Sequence, residues 1–106
     1  MNQLDQLKRL SLLIRDRDLS RLSLASAQKA RTESQLAALD RTGTTTALDP
    51  VICAQVVDRF GLWTTNRRIL LNQQLARDTV TWMAEKTAAQ RSFGRADVLG
   101  KLSSKR

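Results

Sequence analysis

Residues 41–50, Arg-Thr-Gly-Thr-Thr-Thr-Ala-Leu-Asp-Pro, divide a chain that is otherwise built from helix formers. Thr42, Thr44, Thr45 and Thr46 are β-branched and poor in helix propensity, and Gly43 suits a C-terminal cap, so a helix arriving from the N-terminus should stop here. Asp49 can accept a backbone N–H at a helix start, and Pro50 in a first turn forfeits no hydrogen bond, so a second helix should begin at Pro50. Upstream, residues 2–41 contain neither Gly nor Pro, and Asp5 and Arg9 stand at the spacing of a helical ion pair. Downstream, the pattern carries to about Leu102. The expected lengths are about 60 Å and about 80 Å at 1.5 Å per residue.

A connection of about 42–49 between two long helices forces them to lie antiparallel, because neither can bury an apolar stripe alone. The expected fold is therefore all-α: one antiparallel two-helix coiled-coil hairpin, with the second helix longer than the first. If Arg41 faces Pro50, the numbers of facing residues total about 91. Phe60 and Trp63 then meet the small residues around Ala25, Ser26, Ala27 and Ala30; Leu70 meets Leu19 and Leu22; and Trp82 meets Leu7 and Leu10. Val56, Trp63 and Leu70 recur at seven, as do Leu75, Trp82, Ala89 and Ala96, but on different faces, while the Leu12–Leu19 step gives way to Ser26. The seam is thus expected to shift face along the rod, with Gly61 as a place for a bend. A hairpin this thin is also expected to lean on a partner or on self-association for stability.

The same register leaves the chain beyond about Gln90 without a covering helix. Phe93, Ala96, Leu99 and Leu102 recur there at steps of three, beside Arg91, Arg95 and Lys101. Burying Phe93 and Leu99 is worth roughly 1.5–3 kcal/mol each. Arg91, Phe93, Arg95, Leu99, Lys101 and Leu102 are therefore the candidate partner-binding residues.

Composition limits what such a rod can do. The 106 residues contain no His, one Cys and four Gly, with a net charge of +8. Cys–His nucleophilic chemistry, His-based acid–base catalysis and a Cys/His zinc site are excluded, and no glycine loop of the Walker type is present. Asp16 and Asp18, two apart on a helix, do not share a face and make no catalytic dyad. Cys53, near a helix start, reads as a small half-buried hydrophobe. The expectation is a chain with no enzymatic activity and no cofactor or metal. The longest apolar runs are far short of the ~20 residues that span a bilayer, and the start lacks a signal-peptide apolar region, so a cytoplasmic location is expected.

Half of the net charge lies in residues 85–106. A basic tail attracts nucleic acid, anionic lipid or an acidic protein surface alike. For nucleic acid, Arg67, Arg68, Arg77, Arg91 and Arg95 can track phosphates, yet there is no zinc finger, helix-turn-helix or aromatic stacking platform. For a membrane, only peripheral attachment through the C-terminal helix is open, and its apolar face is narrow and interrupted by Gly94 and Gly100.

The two-helix layout, the start MNQLDQLKRLSLLIRDRDLSRL and the stretch LNQQLARDTVTWMAEKTAAQRSFGRADVLGKL from Leu71 to Leu102 resemble the FliJ-type stalk proteins of flagellar and related type III export. The likeness spans most of the chain, which is shorter than typical members. It implies an antiparallel coiled coil that enters the central hole of a hexameric export ATPase and touches the export gate, in the cytoplasm or at the inner-membrane periphery, while the ATPase performs the hydrolysis. Two other readings stay open: a basic hairpin that binds nucleic acid, and a generic coiled-coil adaptor.

Overall fold

The computed structural model describes residues 2–41 and 50–105, the side chains of 50–54 and 57 excepted. Two helices make up the fold, α1 (Gln3–Arg41) and α2 (Pro50–Ser104), packed antiparallel as a hairpin with α2 the longer arm. The expected connection at 42–49, with the Gly43 and Asp49 caps, lies outside the described residues, as does the side chain of Cys53. At the other end Asn2 caps α1, its Oδ1 accepting the Asp5 N–H at 2.8 Å. Among the described residues no ion pair joins Asp5 to Arg9; the pairs formed at i,i+4 spacing are Lys29–Glu33 and Lys101–Asp97. The molecule measures 81 × 20 × 16 Å, and its long dimension equals the ~82 Å of a straight 55-residue helix.

The register differs from the one the sequence suggested. Thr32 Oγ1 donates to Asp78 Oδ2 at 2.5 Å, Ser92 Oγ donates to Asp18 Oδ2, and Arg68 reaches Asp40 at 2.6 Å. The numbers of facing residues therefore total about 110 (32 with 78, 18 with 92), not 91. Buried positions of α1 recur every seven residues, at Ser11, Asp18, Ala25, Thr32 and Leu39. Across from them α2 sets Leu71, Asp78 and Ser92, with a second buried line through Ala89 and Ala96. In this alignment each buried carboxylate meets a hydroxyl, and Leu39 comes level with Leu71. A register totalling 91 would set Asp18 against Gln73 and lose both matches.

Three expectations fall with that shift. The seam does not wander: the buried positions keep to the same heptad lines along each helix, and they were hidden because α1 fills its line with small and polar residues. Val56, Trp63 and Leu70 lie off the seam and are exposed, whereas Trp82, on the Leu75 line, is partly covered and sits beside Lys29 instead of Leu7 and Leu10. Most consequentially, the C-terminal arm is not an overhang. Ser104 comes level with about residue 6, so both arms finish together at that end, and the surplus length of α2 lies at the other, from Pro50 to about Arg68, some 28 Å beyond the end of α1.

Gly61, Gly94 and Gly100 do not interrupt α2, and none has positive φ. A Cβ built at any of them meets nothing within 4 Å. Gly94→Ala should therefore stabilise the hairpin by about 1 kcal/mol through helix propensity alone, raising the thermal midpoint by roughly 4–8 °C in circular dichroism melts.

The core is thin. Among the described residues the buried apolar ones are Ala25, Leu39, Leu71, Ala89 and Ala96, and the chain exposes 8082 Å², against about 6,000 Å² for a compact globule of its mass.

Candidate interaction surfaces

Inside the seam, two carboxylates are held as acceptors. Asp18 takes the Ser92 hydroxyl and the Arg17 guanidinium (3.3 Å), and those contacts, the Ser92 bond first, hold its carboxyl below the usual 3.8 despite burial. Asp78 is held low in the same way, by Thr32 foremost and then by Gln74, whose Nε2 donates at 2.7 Å, and by Gln28 and Arg77. In this register the two sites are fourteen residues apart along the rod, about 21 Å. Each carboxylate thus accepts a hydroxyl from the facing helix at its own level of the seam.

At the level end the packing of α1 against α2 leaves a groove on each flank. One groove is lined by Leu7, Leu10, Ser11 and Ile14 of α1 and by Arg91, Arg95, Val98 and Leu99 of α2. The other is lined by Lys8, Leu12 and Arg15 and by Phe93, Asp97 and Lys101. The six candidate partner-binding residues are thus divided. Arg91, Arg95 and Leu99 share the first flank, and Leu102, seven residues after Arg95, falls on the same side. Phe93 and Lys101 face the second flank, where the Arg15 guanidinium lies 5.5 Å from the Phe93 ring. All six lie level with α1 instead of projecting past it.

Charge is sorted by the same division. Stepping by threes and fours from the first groove, α1 presents Arg17, Arg21, Leu24, Gln28 and Arg31, and α2 presents Ala88, Ala84, Thr81, Arg77, Gln74, Leu70 and Arg67. No Asp or Glu occurs on these lines. Asp16, Glu33, Asp40 and Asp97 lie on the opposite flank, each in an ion pair, with Arg15, Lys29, Arg68 and Lys101 respectively. Arg21, Arg67, Arg91 and Arg95 have no ion pair among the described residues. Sequence reasoning missed this sorting because it summed charge along the chain; the signal was present in the heptad positions of the acids.

The stretch of α2 beyond the end of α1 carries a third surface. Phe60 and Trp63, 40% and 54% exposed, stack on each other with ring centroids 5.8 Å apart. Leu62 and Leu70 beside them are exposed too. Among the described residues no helix is long and apolar enough to cross a membrane.

Compared with protein-family models, curated proteins and solved structures, the chain matches none of them.

Proposed function

We propose that this chain is a non-enzymatic coiled-coil stalk or adaptor of a flagellar-type export machinery, working in the cytoplasm or at the inner-membrane periphery and engaging the export ATPase ring, the export gate, or both. The observation that carries the reading is the rod itself: 81 Å long and 20 × 16 Å across, with a flank whose arginines, Arg17 apart, form no ion pair among the described residues. A slender basic rod suits a hole lined by acidic loops, and the stretch from Leu71 to Leu102 carries the family likeness. Partner contact is assigned to the level end, where Arg91, Arg95, Leu99 and Leu102 now act together with α1, and Phe93 and Lys101 on the reverse flank.

The experiment is reconstitution with the export ATPase and the cytoplasmic domain of the export gate from the same genome. Co-elution with either, with ATP hydrolysis confined to the ATPase, supports the reading; no complex with either overturns it. The arginine flank also favours a second reading, nucleic-acid binding. That reading requires duplex DNA to be retained with an affinity that falls steeply as salt rises.

A further inference from the structure

We propose that the first groove at the level end docks one amphipathic helix of a protein partner, a helix whose apolar stripe is flanked by carboxylates. The proposal rests on the reading of the chain as a protein-binding rod and adds the chemistry of what it binds. The groove encloses about 620 Å³ between the two helices. Its walls are Leu7, Leu10 and Ile14 on one side and Val98 and Leu99 on the other, and Arg91 and Arg95 stand on its rim. Leu7, Leu10 and Ile14 follow the spacing of residues on one helix face, over about 10 Å. A third helix laid along this valley would meet them with residues at its own i, i+3/i+4 and i+7 positions.

Charge selects the occupant. Arg91 and Arg95 have no acidic neighbour on their flank, so carboxylates on the incoming helix gain charge-assisted bonds that no residue of this chain supplies. A second copy is poorly matched: at this end Asp97 is held by Lys101 and Asp16 by Arg15, which leaves Asp5 as the one carboxylate there without an ion pair among the described residues, a single acid against two arginines. Nucleic acid would use the arginines and leave the apolar walls in water.

The test uses two labelled helical peptides of about 20 residues with the same leucine stripe, one flanked by Glu and one by Lys, titrated by fluorescence anisotropy. The Glu peptide should bind and the Lys peptide should not. The double variant Arg91→Glu/Arg95→Glu should weaken the Glu peptide by about tenfold or more and let the Lys peptide bind. Leu10→Ser should weaken the Glu peptide, and Phe93→Ala, on the other flank, should leave it unchanged; circular dichroism checks that each variant keeps its helices. Equal binding of both peptides, binding of neither, displacement of the Glu peptide by duplex DNA at equal charge, or a dimer that Leu10→Ser dissolves would each overturn the proposal. If the peptides fail while the export ATPase or gate is still captured, the groove assignment falls and the stalk reading stands. If the Glu peptide binds while neither export component does, the stalk reading falls and the groove assignment stands.

Discussion

Thr32→Val lowers the thermal midpoint at neutral pH more than Asp78→Ala does, by a margin of roughly 5 °C, although the two changes break the same hydrogen bond. The asymmetry comes from what each leaves behind. Without Asp78 the Thr32 hydroxyl still has the Gln28 carbonyl, 3.3 Å away on its own helix. Without the hydroxyl, a charged carboxylate stays in the seam with Gln74 but without its strongest donor, and an under-bonded charge is costlier than a hydroxyl that keeps a partner. The effect also depends on pH. Because Asp78 and Asp18 have folded-state pKa values below 3.8, their contribution is complete above about pH 4 and fades as pH falls through the lowered folded value. Thr32→Val removes the main cause of that lowering for Asp78. The gap between wild type and Thr32→Val should therefore be wide at pH 7 and narrower in melts at about pH 2.5. A gap that is the same at both pH values would contradict this account of the seam.

Leu71→Ala is the second large effect. Leu71 is 5% exposed and level with Leu39 at 9%, and the two form the one buried pair of large aliphatic side chains in the hairpin among the described residues. Leu→Ala at such a site costs about 2–5 kcal/mol, a large part of the total for a domain this thin. Denaturant unfolding should shift to a much lower midpoint, and hydrogen exchange should show the last turns of α1 opening first. Leu24→Ala, removing a side chain 72% exposed, should change stability by no more than about 0.5 kcal/mol. Equal losses from the two would mean that the buried pair is not where the hairpin is fastened.

Much of this fold was legible in the chain, for identifiable reasons. The run free of Gly and Pro up to Arg41 and the Asp49-Pro50 start locate both helices, and their number and lengths impose the hairpin. What stayed hidden was the alignment. Hydrophobic periodicity sets a coiled-coil register only when the seam is apolar, and here Ser11, Asp18 and Thr32 occupy it, so the information lay in acid–hydroxyl pairs on different helices. Assuming that Arg41 faces Pro50 then displaced every facing pair and moved the surplus length to the wrong end. Gly94 and Gly100 misled for a simpler cause: low helix propensity is a local cost of about 1 kcal/mol each, and the packing of Ser92, Ala96 and Leu99 against α1 outweighs it. Of the candidate site, the residue types were readable, but their split between two flanks depends on rotation about the α2 axis, which only the seam reveals.

The sorting of arginines from acids has a mechanical corollary. With cations along one flank and neutralised acids along the other, the electric moment of the rod has a component across its long axis. In the field of an anionic body the rod feels a torque about that axis and turns its arginine side inward before touching. First contact is then made lengthwise with a preferred roll angle, and raising the ionic strength should blur that angle before it abolishes the contact.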